Sequence, residues 1–475
     1  MLNIVELLKD QKYRKINRMM VIAGTLAEDL DMNVYAVGGC VRDLILGINI
    51  NDLDLMVEGD GIQFAKKLAN KIKIKKVVSF EKFGTALIPN KEFQIEVATC
   101  RSEKYNKDSR SPSRVIFTDL DGDLKRRDFT INTLAIDIKP NNFGKLFDPY
   151  NGIGDLEKNL IRTPLDPDIT FSDDPLRMMR AAYFSSKLGF KIDALTRGSI
   201  KKKSKRINIV SWERIREEFF KILRTPKPSI GLITLQKTKI LKYIFPEIDL
   251  MYGMDQSPDW HHKDIFAHTL EVVDNASKLS DKLELRFAAL VHDIAKPNTR
   301  RIDPKKGYTF HGHDAVGERM IGAIAKRMRL SNNLATYLKK LTLLHLRPIA
   351  LVKNEVTDSA VRRLMYSAGE ELNDLMILCR ADITTKNPNK VKRYLKNFDL
   401  VEYKMENVIE KDSMKSFQSP IKGKEIMGIF DLKEGREVGI IKAKIEEAIL
   451  DGEVENTYKS SLEFLNSLKK NFSKI

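Results

Sequence analysis

The chain reads as an α+β protein, with a small mixed α/β head followed by a long all-α part. Two observations predict this. Between residue 33 and about residue 138, apolar runs of strand length recur: Val34–Val37, Asp52–Val57, Lys76–Val78, Thr85–Ile88, Phe93–Ala98 and Ile131–Ile138. From about residue 150 onward the apolar residues take helical spacing, and Pro164, Pro167, Pro175, Pro226, Pro228 and Pro246 punctuate separate helices. A further shift follows Met251-Tyr252-Gly253, where the histidines begin.

The opening 30 residues read as a helix leading into the first strand. Gly38-Gly39 then reads as a turn, Val41 to Leu46 as a short helix, and Ile62 to Ile72 as an amphipathic helix between strands. The last stretch, Ile421 to Ile475, reads as helical and lysine-rich.

Composition bounds the function. The chain has 475 residues and a net charge of +17, with 82 Lys and Arg against 65 Asp and Glu. Such a sum favours a polyanionic partner, although lysine-rich proteins are also basic without binding nucleic acid. The densest basic run, Lys201-Lys202-Lys203-Ser204-Lys205-Arg206, fits an RNA contact and equally a solvated helix end. Three cysteines, Cys40, Cys100 and Cys379, argue against a disulfide framework. No apolar run is long enough to span a bilayer, and the N-terminus lacks the build of a signal peptide. The expectation is a cytoplasmic protein.

The motif with the most chemistry is Val37-Gly38-Gly39-Cys40-Val41-Arg42-Asp43 followed by Asn51-Asp52-Leu53-Asp54-Leu55. Side chains alternate along a strand, so Asp52 and Asp54 share a face, about 6–7 Å apart at the backbone. Paired carboxylates suit a hard cation such as Mg²⁺. A bare Asp-x-Asp also fits a solvated strand face. Glu96 alternates with the apolar Ile95 and Val97 and faces away from the core. It is either a third ligand of a two-ion site or an exposed strand residue.

Arg126 and Arg127 are adjacent and project in different directions, so one can meet a triphosphate while the other pairs inside the protein. A surface ion pair between Arg127 and Asp128 is the alternative. Arg42, after the glycine turn, is a second phosphate candidate. In Ser172-Asp173-Asp174-Pro175-Leu176-Arg177-Met178-Met179-Arg180, a helix start is expected before Pro175. Asp174 and Arg177 are three apart and share a face, an acceptor beside a donor. Cytosine and adenine present an amino group next to a ring acceptor, while guanine and uracil present the opposite polarity. The pair can therefore accept C and A and disfavour G and U. It also fits a plain i,i+3 ion pair of about 0.2–0.5 kcal/mol.

These motifs resemble those of the class II tRNA nucleotidyltransferases, the CCA-adding enzymes, and of the bacterial poly(A) polymerases, from about Val34 to Phe220. The resemblance implies a nucleotidyltransferase head (residues 1–145), a neck with the nucleotide-selecting helix (146–200) and a helical RNA-binding body (201–250). It also implies Mg²⁺ on Asp52 and Asp54, and nucleotide contacts from Gly39, Arg42, Arg127, Asp174, Arg177 and Arg180. The expected partners are the 3′ end and acceptor arm of tRNA, with CTP and ATP. Two positions depart from the family pattern: Asp173 replaces a usual Glu, and Tyr183 a frequent Arg. The segment from Thr99 to Val115 resembles the family's flexible loop at full length, which implies addition of the terminal adenosine. Addition of A alone, or of long adenosine tails, fits the same head.

All seven histidines fall between His261 and His345. His268, His292-Asp293, His313, His345 and Asp382 form a spaced series of nitrogen and oxygen donors suited to a divalent transition metal and to phosphoester hydrolysis. The series resembles the HD phosphohydrolase domain, expected over residues 251–400 and followed by a helical tail over 401–475. Its ion would be Mn²⁺, Ni²⁺ or similar, or Mg²⁺. His261, His262 and His311 match the pattern less clearly, and a purely structural metal fits the same donors. A metal phosphohydrolase with an RNA-binding head is the reading of another class. In the C-terminal stretch, the glycines at Gly423 and Gly435 precede helices and fit either a phosphate contact or a packing turn. Oligomeric state is not encoded in these motifs.

Overall fold

The computed structural model describes residues 3–90, 92–105, 112–255, 264–305, 307–353, 357–412 and 419–472. The chain divides into two compact units, Met1–Asp249 and Leu250–Ile475.

The first unit opens with two helices, Ile4–Leu8 and Arg14–Asp29. A single opening helix was expected. Asp10 breaks it, because its carboxylate accepts from the Lys12 amide at 3.0 Å and starts a new turn. The sheet uses β1 (Asn33–Val37), β2 (Asp52–Glu58), β3 (Val78–Phe80), β4 (Thr85–Ile88) and β5 (Gln94–Thr99). A separate hairpin, β6 (Arg101–Tyr105) with β7 (Pro112–Phe117), follows, and then β8 (Ala135–Asp137) and β9 (Leu146–Phe147). The seven-stranded sheet runs β3-β4-β5-β2-β1-β8-β9. It is mixed: β2 pairs with β5 in parallel, whereas β1 pairs antiparallel with both β2 and β8.

Alternation gives the two faces different fates. Val34, Ala36, Leu53, Leu55, Val57, Ile95 and Val97 are buried on one face. On the other, Tyr35, Val37, Met56 and Ala135 pack on Leu120 and Leu124 of the helix Leu120–Lys125. Farther along that second face, the register sets Asp52 opposite Gln94 and Asp54 opposite Glu96. The helix Arg14–Asp29 lies so close to the end of β8 that a Cβ on Gly24 would stand 1.7 Å from the Ile138 carbonyl oxygen.

Three other expectations change, the first being the strand expected over Lys76–Val78, which lies instead at Val78–Phe80. The strand expected over Ile131–Ile138 shrinks to Ala135–Asp137. Residues Thr130–Asn132 instead form a 3₁₀ turn, with the Thr130 amide donating to the Arg162 carbonyl at 2.8 Å. The segment expected as a flexible loop is a hairpin over its described residues, since Arg101 pairs with Phe117 and Lys104 with Arg114. Residues 106–111 lie outside the described residues.

Past the sheet come the helices Pro167–Asp173, Leu176–Leu188, Ala194–Lys203, Trp212–Leu223 and Pro228–Lys237. Lys201 and Lys202 are exposed at the end of the third of these, and Lys202 pairs with Asp168 at 2.5 Å.

The second unit is helical. Among its described helices are Ile265–Leu279, Leu283–Val291, His313–Arg327, Asn332–Leu344, Asp358–Ala368, Leu372–Ala381 and Pro388–Asp412. Val361, Leu364, Leu375, Cys379, Phe398 and Met405 share one core. The last three helices, Gly423–Phe430, Arg436–Leu450 and Tyr458–Phe472, close over a core of their own built from Ile421, Ile426, Ile441, Ile445 and Leu465. No described helix is long and apolar enough to cross a membrane.

The Gly24 contact is directly testable. Gly24→Ala drives a methyl group into a backbone carbonyl that has no rotamer to retreat to. The expected loss is about 3 kcal/mol, at the upper end of overpacking effects. The midpoint of urea unfolding measures it.

Candidate active site and metal centre

Three carboxylates meet on the open sheet face. Asp54 and Glu96 are register partners in a parallel pair, and Asp52 is two residues along. Burial first, then Glu96 and Asp52, push the Asp54 carboxyl up to about 6, against the lowering pull of Arg127 and Arg42. Burial and Asp52 raise Glu96 as well. Crowded acids that hold their protons this firmly are short of positive charge, so the donor set fits a divalent cation.

Asp54 lines a cleft of about 680 Å³ that also includes Gly39, Arg42, Arg127, Asp174, Arg177 and Arg180. Asp52 and Glu96 lie outside that lining, on the same sheet face. Tyr183, Lys187, Arg214, Glu217 and Glu218 line the same cleft. Gly38 explains the glycine turn: its φ is +73°, and a Cβ there would meet the Arg127 Nη1 at 2.5 Å. A side chain at this position is strained by its backbone and also displaces an arginine of the cleft.

The arginines are fixed by buried acceptors, several of which the motifs do not advertise. Arg126 and Arg127 do not diverge as expected. Both grip Asp123, which has no exposed surface: Arg126 Nη2 is 2.6 Å from one carboxylate oxygen and Arg127 Nη2 is 3.1 Å from the other. Burial opposes the Asp123 charge, yet the two guanidiniums hold its carboxyl below the ordinary value. Its spacing of three and four residues before the arginines was the available signal.

Asp128 does not pair with Arg127 either. It accepts from Arg180 Nε at 2.7 Å and from Asn132 Nδ2 at 3.0 Å. Asn132 in turn accepts from Arg42 Nη1 at 2.6 Å, and Arg42 also donates to Asp43 at 2.8 Å. One chain of hydrogen bonds thus runs Asp43–Arg42–Asn132–Asp128–Arg180 along the cleft. Arg42 is 3% exposed, and these bonds use three of its five N–H groups.

The helix start expected before Pro175 is more elaborate than a single cap. One helix ends at Asp173, Asp174 is extended, and the next begins at Leu176, whose amide donates to Asp174 Oδ1 at 3.0 Å. Arg177 points its guanidinium at the Arg126 carbonyl, 2.6 Å away. Asp174 and Arg177 both reach the cleft.

The second unit brings together all six donors expected there, five of them at helix ends. His292 and Asp293 follow the helix Leu283–Val291, His345 follows Asn332–Leu344, and Asp382 follows Leu372–Ala381. His313 opens its helix, and His268 lies within Ile265–Leu279. His268 Nε2 is 3.0 Å from Asp382 and 3.3 Å from Asp293, while His313 Nε2 is 3.2 Å from Asp293. Burial opposes the charge on Asp293, but His292 and Lys296 hold its carboxyl well below the usual range. Burial pushes His345 down to about 4. Two buried atoms of the cluster, His292 Nε2 and Asp382 Oδ1, lack a hydrogen-bond partner, while Asp293 Oδ2 faces the Lys296 ammonium at 2.5 Å. Orphaned donor atoms that converge in this way fit a metal ion. His261 and His262 lie outside the described residues.

Comparison with known proteins finds matches over both units of the chain. The model for the poly(A) polymerase head domain matches residues 34–162, that for the probable RNA and SrmB-binding site of polymerase A matches 189–251, and that for the HD domain matches 265–387. A multifunctional CCA protein of Vibrio parahaemolyticus serotype O3:K6 is 33% identical over 369 residues, 74% of this chain and 85% of the relative. The chain belongs to the tRNA nucleotidyltransferase and poly(A) polymerase family. Another member, an A-adding tRNA nucleotidyltransferase of Deinococcus radiodurans, is 30% identical over 88% of this chain and 92% of its own. A solved CCA-adding enzyme of Thermotoga maritima, complexed with tRNA, shares the fold with a TM-score of 0.61 at 24% identity, over 98% of this chain and 99% of that one. This family member is therefore a nucleotidyltransferase that also carries an HD domain.

The raised Asp54 carboxyl predicts a pH effect on the metal-free protein. Its proton is held more tightly in the folded than in the unfolded chain, so stability falls as pH rises from about 4 through about 6. Asp54→Asn removes that penalty. Without metal it is expected to raise stability by ~1–3 kcal/mol at pH 7.5 and by nothing below about pH 4. Urea denaturation in EDTA at the two pH values reads the difference.

Proposed function

We propose that this protein adds C, C and A to the 3′ end of tRNA, taking CTP and ATP and releasing pyrophosphate at each step. The observation that carries the reading is the carboxylate face of Asp52, Asp54 and Glu96 beside a cleft walled by arginines held in place. The tRNA 3′ hydroxyl attacks the α-phosphate in line, and the bond to the β-phosphate oxygen breaks. Asp52 and Asp54 would hold Mg²⁺, which would supply charge neutralisation to the nucleotidyl transfer. Arg42 and Arg127 stand where a triphosphate needs positive charge, and Gly39 lets the backbone approach it. Asp174 and Arg177 present an acceptor and a donor to the base edge, and Arg180 is held beside them by Asp128. The anchoring of these arginines to buried acceptors supports selection by hydrogen bonding, because a rigid donor cannot turn to meet the wrong base.

The six donors of the second unit support a metal-dependent phosphohydrolase activity, with His268, His292, Asp293, His313, His345 and Asp382 as the ligand set and Mn²⁺, Ni²⁺ or Mg²⁺ as the ion. The ion would supply Lewis acidity at a phosphoryl oxygen. A second reading of the head, addition of A alone, is favoured by the fuller extent of the match to the Deinococcus radiodurans relative.

Transcripts of tRNA lacking one, two or three terminal nucleotides, with labelled CTP or ATP, separate these readings. The expected result is incorporation that stops at CCA. Labelling only of transcripts that already end in CC assigns A addition, and long tails assign poly(A) synthesis. Asp52→Ala is expected to abolish transfer while leaving phosphodiesterase activity intact; loss of both refutes two separate sites. Arg177→Ala is expected to shrink the preference for CTP over UTP in kcat/KM by about ten- to a hundredfold, the worth of one charge-assisted hydrogen bond. Unchanged selectivity removes its role at the base edge.

A further inference from the structure

The two faces of the head sheet meet different surroundings. Leu53, Leu55, Ala86, Ile88, Ile95 and Val97 turn to the core and are buried. The carboxylate face stays open from β2 through β5 and β4 to β3, the last strand on that side. Cross-strand partners point to the same side of a sheet, so the register identifies the residues on this face. Asp54 stands opposite Glu96, Glu96 opposite Leu87, and Leu87 opposite Val78. Phe80 lies two residues beyond Val78, opposite Thr85 and on the same face. Asp52, Glu96 and Phe80 are exposed, and Asp54, Leu87, Val78 and Thr85 are partly so. Val78, Phe80 and Leu87 therefore make an apolar shelf beside the acids, on which the Phe80 ring side chain keeps the residue 53% exposed.

The shelf lies on one definite side of the acids. The cleft with Gly39, Arg42 and Arg127 opens from Asp54 toward β1 and the turn after it, and its lining leaves out Asp52 and Glu96. The strand order β3-β4-β5-β2-β1 puts the shelf beyond Glu96, away from those arginines. An in-line displacement places the attacking and leaving oxygens on opposite sides of the reacting phosphorus. With the triphosphate held at the arginines, the attacking 3′ oxygen arrives from the β5 side. The nucleotide that carries it then lies over β4 and β3. Strands are about 4.8 Å apart, so Leu87 is roughly 10 Å from Asp54 at the backbone and Val78 roughly 14 Å. These spans fit one to two nucleotides.

We propose that Val78, Phe80 and Leu87 seat the last two bases of the RNA acceptor strand, which pack on this shelf and bring the terminal 3′ oxygen to the carboxylates. The proposal rests on the nucleotidyl-transfer reading of the head and extends it to the strand being lengthened. Stacking on a ring such as Phe80 is tolerant of base identity, because every base has a π-face. That tolerance suits an acceptor whose terminal nucleotide changes with each addition. Charge agrees with this occupant. Lys76 precedes β3 by two residues and Lys82 follows it by two, and both are exposed, flanking the shelf with the positive charge a phosphate backbone requires. Glu81, the acid between them, accepts from Ser79 Oγ at 3.1 Å.

The test compares full-length Phe80→Ala and Leu87→Ala chains with the unchanged protein on tRNA ending in CC. KM for the tRNA at saturating ATP is expected to rise about tenfold in each, the worth of one lost base contact, while KM for ATP is unchanged. Phe80→Trp keeps a ring at the edge and is expected to bind tRNA as the unchanged protein does. A transcript whose terminal base is 4-thiouracil, irradiated on the protein, is expected to crosslink within residues 78–87. An unchanged KM for tRNA, an equal rise in KM for ATP, or crosslinks confined to other segments overturns the shelf. Loss of transfer in Asp52→Ala then leaves the reading of the carboxylates standing, whereas transfer that survives Asp52→Ala overturns both.

Discussion

The head site depends on one constraint: carboxylates buried closer together than their charges allow. On the sheet face strand register sets Asp54 beside Glu96, and burial first, then the neighbouring carboxylates, raise both groups. In the helical unit the acids are balanced from within: Asp293 is buried and Asp382 half-buried, and against that burial the surrounding imidazoles hold both carboxyls well below the usual range. The sheet-face acids lack such partners in number, and that shortage of positive charge suits them to a cation.

The arginines of the cleft are the opposite case. Their charge is balanced from within, by Asp43, Asp123 and Asp128, and their direction is set by the same bonds. A buried ion pair contributes little net stability. It does remove rotational freedom from side chains that must meet a triphosphate and a base edge, and preorganised donors do not need to be reoriented during the reaction. Here the polar network is spent on geometry rather than on holding the fold together.

Much of the site was legible because its residues lie in short segments with fixed offsets. Asp52 and Asp54 share a face for the elementary reason that strands alternate, and Glu96 is brought beside them by parallel pairing. The histidine series was legible by number and spacing. What failed were statements about side-chain direction. Arg126 and Arg127 were expected to diverge, and both converge on Asp123, because a short helix places residues three and four apart on one side. Asp128 was weighed as a partner of its neighbour Arg127. It serves Arg180, 52 residues away, through packing that no local pattern records.

The sequence alone determined the order of the parts, the identity of the acids and bases, and the strand and helix periods that carry them. These follow from chain geometry over a few residues. The tertiary structure alone decided which acceptor holds each arginine, that the presumed loop is a hairpin over its described residues, and that one aspartate faces two sets of histidines. Those outcomes depend on side chains far apart in sequence competing for the same buried space, where a polar atom takes whichever partner the packing brings within reach.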